Sequence, residues 1–186
     1  MNYLRNETYV VRQKDTLWKI ASLHQVGVME LINANPQISD PDVIYPGQVI
    51  NIPSESNFRS LEQEIIRLVN QERANQGIPA LEEDWEVSRV ARFKSQDMID
   101  NDYFSHNSPV YGSPFQMLRS FGIRFTAAAE NIAYGQRTAQ QVMNTWMASS
   151  GHRANILNRN YNKIGVGVAR DPSSGQLYFT QIFIRS

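Results

Sequence analysis

The stretch NIPSESNFRS, residues 51–60, limits what this chain can fold into more than any other. The alternating run Val49 to Ile52 stops there at Pro53, several polar residues follow, and a strongly periodic helical pattern then begins. A period of two and a period of 3.6 cannot continue through one element. With 186 residues to distribute, the chain is expected to form a small module over residues 1–54 and a medium-sized one over residues 55–186. No internal repeat or low-complexity tract appears in either.

Before the seam, TYVVR reads as a short strand. KDTLWKIASLHQ places Leu17, Ile20, Ala21 and His24 at helical spacing, with Asp15 or Thr16 positioned to cap the first turn. VMELINANP reads as a second short helix that stops at Pro36, because proline disfavours helix in the residue before it. PDVIYPGQVINIP gives a Pro-Gly turn and the closing strand. The result is a compact βααβ unit.

The segments YVVRQKDTLWKIA, LINANPQI and IYPGQVINIP closely resemble a LysM module over residues 8–53. One departure is Lys14, where the family usually has glycine before DTL. The resemblance implies binding of N-acetylglucosamine glycans, peptidoglycan or chitin. The implied groove has Asp15, Thr16 and Leu17 on one side, Ile44, Tyr45 and Pro46 on the other, and Asn35 and Pro36 nearby. Loop backbone groups would bond N-acetyl amides there, while Ile44 and Tyr45 offer a flat apolar floor to a sugar ring. His24 is assigned no role.

After the seam, FRSLEQEIIRLVNQERANQG sets Phe58, Leu61, Ile65, Leu68 and Val69 on one face and ends at Gly77. Asp84 precedes a second helix with Val87, Val90, Ala91, Lys94 and Met98 in register. SPFQMLRSFG carries Ser at the cap, Pro at the first helical position and Gly122 at the stop. TAQQVMNTWMASSG opens with Thr138 and Gln141 at capping-box spacing, and Val142, Met143 and Trp146 are expected in the core. KIGVGVAR and QLYFTQIFI read as strands joined by DPSSG. In the first of them apolar residues alternate with glycine, so a helix can approach that face closely. The whole chain is α+β, with the larger part a sheet between helices.

Charge and composition exclude several functions. Eighteen basic residues balance eighteen acidic ones, and residues 1–54 hold 4 and 5 of them, so neither module has the electrostatic footprint of a nucleic-acid binder. Zero cysteines exclude disulfides and thiolate metal sites. No apolar run approaches the ~20 residues of a membrane span. The beginning, MNYLRNETYVV, lacks the apolar core of a signal peptide, so either a leader was removed or the protein is made without one. GxSxG and phosphate-loop patterns are also missing.

Only three histidines occur: His24, His106 and His152. Two fall in polar, turn-rich surroundings, DYFSHNSP and SSGHRANIL, where histidine is either inconsequential or part of a site. The stretches LVNQERANQGIPAL, DYFSHNSP, AAAENIAYG, TWMASSGHRANIL and IGVGVA resemble the CAP superfamily (cysteine-rich secretory proteins, antigen 5, pathogenesis-related 1) in its bacterial SCP-like form. The resemblance implies an α-β-α sandwich with a central cleft that in many members holds a divalent cation between two histidines and two glutamates. His106 matches the cleft histidine and Glu130 the glutamate of EN. His152 is expected to project into the same cleft from the end of the tryptophan-bearing helix. Ser149 stands where other members have glutamate, and Tyr178 where they have the second histidine, so the four-residue set is not intact.

Two imidazoles and a carboxylate match the ligands of open zinc sites, and the set His106, Glu130 and His152 would admit a divalent cation such as zinc. They equally suit general acid–base work, or simply pin loops by hydrogen bonds. No cofactor is required by the residues themselves. The leading expectation is a cell-wall or extracellular bacterial protein, held on peptidoglycan or a chitin-like glycan, whose CAP cleft takes a ligand, cation or partner. The alternatives are a metal-assisted hydrolase acting through the same three residues and a structural spore-coat component associated with coat or wall proteins. The NPQISDPDVIYPGQ loop looks like that of spore-coat assembly LysM proteins.

Overall fold

A computed structural model describes residues 7–53 and 58–186. The chain divides into two compact units, one ending at Asn57 and the other beginning at Phe58.

In the first unit, strand β1 (Glu7–Val10) pairs antiparallel with β2 (Val49–Ile52), Val10 opposite Val49. Between them lie helices α1 (Leu17–Leu23) and α2 (Val28–Asn33). Of the two candidate caps, Thr16 takes the role: its hydroxyl accepts from the Lys19 N–H at 3.2 Å. Glu30 accepts from the Gly27 N–H at 2.5 Å and so starts α2. Leu17, Ile20 and Ala21 from one helix and Leu31 from the other close over Ile50 and Ile52, burying the apolar stripe that the spacing predicts. Lys14 has φ 68°, a left-handed conformation that glycine adopts without strain. That explains why glycine is the family's usual choice at this turn.

The second unit is a four-stranded sheet between helices. Its strand order is β3 (Glu82–Glu83), β5 (Lys163–Arg170), β6 (Leu177–Arg185), β4 (Ala127–Tyr134). The last three run antiparallel, and β3 lies parallel to β5. Ile164, Val166, Val168, Phe179 and Phe183 point to one face, where α3 (Arg59–Asn75) and α6 (Ala139–Ala148) cover them with Ile65, Val69, Val142 and Trp146. The opposite face, with Ile182 and Ile184, receives α4 (Trp85–Asp100) and α5 (Pro114–Ser120). Asp84 caps α4, Ser113 caps α5 with a reciprocal bond from Gln116, and Thr138 caps α6.

The glycine alternation in β5 has a direct structural cause. A Cβ on Gly165 would lie 2.3 Å from the Ser88 nitrogen, and one on Gly167 would lie 2.0 Å from the Arg92 nitrogen. Backbone meets backbone there, so α4 settles closer to the sheet than any side chain allows.

Two elements differ from expectation. AAAENIAY, read as no strand, is β4: its alanines carry little β preference, and eight paired residues along β6 impose the conformation. The tryptophan-bearing helix also ends sooner than expected. Ser149 has extended dihedrals and breaks the run, so His152 belongs to a separate short helix, α7 (Ser150–Ile156).

Candidate functional site

β4 is the edge strand of its sheet, and the polar cluster gathers along it. Lys94, from the middle of α4, is 1% exposed and donates to the Tyr103 hydroxyl at 2.8 Å, the Ser105 carbonyl at 2.8 Å and the His106 carbonyl at 3.0 Å. A buried ammonium fully satisfied in this way fixes the loop after α4. Burial lowers the pKa of Lys94, opposed by the charges of Glu130 and Asp97. Tyr103 in turn donates to Asp97.

The loop so held presents His106 to the strand. His106 Nδ1 lies 2.7 Å from Glu130 Oε1, with the imidazole half exposed and the carboxylate side chain almost fully buried. Glu130 Oε2 is buried and has no hydrogen-bond partner among the described residues, and the same holds for His152 Nδ1. The pKa of His152 is lowered first by burial and then by His106.

Asparagines dock α7 against the same strand. Asn131 donates to the His152 carbonyl and to Gln181 Oε1, both at 3.2 Å, while Asn155 donates to Asn131 Oδ1 at 2.9 Å. Because Glu130 and Asn131 alternate, one faces the His106 loop and the other faces α7. The strand edge thus joins three segments distant in sequence.

Among the described residues, no group of three or more His, Cys, Asp and Glu side chains is arranged to hold an ion. His106 Nδ1 and Glu130 Oε1 face each other in a hydrogen bond, which involves neither His106 Nε2 nor Glu130 Oε2. Tyr178, at the position of the family's second histidine, stacks on Tyr134 instead. Lys94 was legible as an interior helical position but not as the anchor of the loop. Among the aromatic residues beside the cluster, Tyr178 was marked only by its place in the family pattern, and Phe104 and Tyr134 were not singled out.

In the first unit the implied groove residues separate into two groups. Asp15 accepts from the Arg12 N–H at 2.7 Å and the Tyr9 hydroxyl at 2.9 Å; these bonds, the backbone one first, lower its pKa. Asp15 is partly exposed, and Thr16, Pro36, Tyr45 and Pro46 are exposed. Leu17 is instead a core residue, and the partly buried Ile44 packs against that core. Asn35 is fully buried, which removes its side chain from any sugar contact. Its amide donates to the carbonyls of Leu31 and Asn51 and accepts from the Asn51 N–H and from Gln37. It braces the loop that carries the surface. Tyr45 lines a shallow hollow of about 430 Å³ together with Gln37, Ile38, Ser39, Val43 and Gln48, residues that the sequence reading did not single out.

The model of the Cysteine-rich secretory protein family, CAP, matches residues 66–183, and the model of the LysM domain matches residues 9–53. The chain belongs to the CAP family and carries an N-terminal LysM domain. YkwD of Bacillus subtilis (strain 168) is 50% identical over 129 residues, 69% of this chain and 49% of that protein. SpoIVD-associated factor A of the same organism is 47% identical over 47 residues, 25% of this chain and 12% of that protein. The crystal structure of an extracellular SCP-domain protein from Bacillus anthracis str. Ames superimposes with a TM-score of 0.64 at 33% identity, covering 76% of this chain and 47% of that one. The chain spans about half the length of YkwD. Its two domains support a cell-envelope protein. Among the described residues, no helix is long and apolar enough to cross a membrane.

Proposed function

We propose that the LysM domain holds this protein on an N-acetylglucosamine glycan of the cell wall, and that the CAP domain presents the polar cluster at the edge of β4 to a ligand. One observation carries the reading. A glycan-binding type of domain with an exposed tyrosine at a hollow is joined to a CAP domain whose buried Glu130 Oε2 and His152 Nδ1 lack partners. Buried polar atoms are normally paired, and an unfilled pair beside a half-exposed histidine suits a binding site.

Sedimentation with purified peptidoglycan tests the anchoring. The intact chain is expected in the pellet, and Tyr45→Ala combined with Val43→Ala is expected to shift most of it to the supernatant with an unchanged circular dichroism spectrum. An intact chain that stays in solution refutes the proposal.

A second reading, a spore-coat component, is favoured by the match of the LysM segment to the spore coat assembly protein ExsA of Bacillus cereus, 46% identical over 48 residues. Locating the protein in sporulating cells of its native organism separates the two. Confinement to the coat layer supports this reading, and an even distribution in vegetative walls opposes it.

A further inference from the structure

The loop that carries His106 touches β4 at two points. At one, His106 meets Glu130. At the other, the Phe104 ring sits edge-on to Tyr134 with centroids 4.7 Å apart. Tyr134 is the cross-strand partner of Tyr178, and their rings stack at 22° with centroids 5.5 Å apart. Four residues separate Glu130 from Tyr134, so both lie on the same side of the strand, roughly 13 Å apart. Packing alone would bury such a cluster, yet Phe104 and Tyr134 remain 44% and 48% exposed.

The chemistry narrows what fits. Flat rings with phenolic hydroxyls at their rims suit a molecule that is apolar on its faces and hydroxylated at its edges. Burial raises the pKa of Tyr178, and Asp171, Tyr134 and Asp102 add to the rise, so acidic side chains near the ring do not favour an anion. At the other end of the same side of the strand, the partnerless Glu130 Oε2 is suited to a hydroxyl or acetamide N–H donor. A lipid chain would leave that oxygen unsatisfied.

We infer that this face of the CAP domain is a second glycan site, taking a short run of uncharged N-acetylated sugars. Rings stack on Tyr134 and Tyr178, Phe104 borders them, and the polar end of the strand offers Glu130. The choice of polymer rests on the wall-glycan reading above; the site itself rests on the ring cluster and the unfilled Glu130 oxygen.

Calorimetric titration of the full chain with a soluble N-acetylglucosamine tetrasaccharide tests it. Two binding events per chain are expected. Tyr134→Ala with Tyr178→Ala removes one and keeps the other, and Tyr45→Ala does the reverse. Glu130→Gln, which leaves every ring in place, weakens the CAP event about tenfold and guards against a misfolded ring variant. A single event that ignores both the ring pair and Glu130→Gln but disappears with Tyr45→Ala overturns the inference and leaves the anchoring intact. A single event that follows the ring pair and ignores Tyr45→Ala upholds the CAP site while the anchoring fails. No event at all overturns both.

Discussion

Two buried polar clusters, one in each unit, make opposite use of the same chemistry. Asn35 in the LysM domain is fully buried and its amide takes part in four hydrogen bonds. Glu130 in the CAP domain is almost as deeply buried, yet only one of its carboxylate oxygens has a partner among the described residues. A satisfied buried amide holds backbone segments together and has nothing left for a ligand. An under-satisfied carboxylate costs stability and keeps a valence open. The difference teaches that burial alone does not distinguish structural polar groups from functional ones; unused hydrogen-bonding capacity does.

The sharpest way to break the comparison is Asn35→Ala. It leaves the Asn51 N–H and the carbonyls of Leu31 and Asn51 without their partner, and is expected to destabilise the LysM domain by about 3 kcal/mol. Urea denaturation followed by amide hydrogen exchange of the buried Ile50 reads this directly, and a loss well under about 1 kcal/mol would show that the amide is not a brace. Glu130→Gln is expected to cost the CAP domain no more than about 1 kcal/mol, because it gives up one charged hydrogen bond while leaving side-chain volume unchanged. A cost as large as that of Asn35→Ala would erase the distinction between the clusters.

The smallest effect is in pH. His152 has a lowered pKa in the folded chain, mainly through burial and secondly through His106. The unfolded chain therefore takes up the proton first as pH falls below about 6.5. Stability from this group is whole above that value and is lost as pH drops toward the folded pKa. Replacing His152 with asparagine should flatten this acid-side slope; an unchanged slope would assign it to other groups.

α1, α4, α5 and α6 were legible because apolar spacing and caps agree in them. Thr16, Asp84, Ser113 and Thr138 all accept the backbone bonds that their positions suggest. β4 was not legible, since Ala127, Ala128 and Ala129 favour no strand and only pairing with β6 makes one. His106 and Glu130 are 24 residues apart on different elements, and no local pattern relates them. The family resemblance joined them; what it did not convey was that they would bond to each other directly. Lys94 was hidden for a simpler reason: a helical repeat reports that a position faces inward, not what a charged group finds there.

Gly165 and Gly167 reach further than the core they occupy. The last residue of α4, Asp100, lies eight positions beyond Arg92, roughly 12 Å along the axis. A methyl group at Gly167 would act as a wedge near the middle of that rod, and a slight tilt there grows toward the tip from which the histidine loop departs. Two hydrogen atoms in the interior therefore set the aim of a surface imidazole, and evolution can detune the site without touching any residue that lines it.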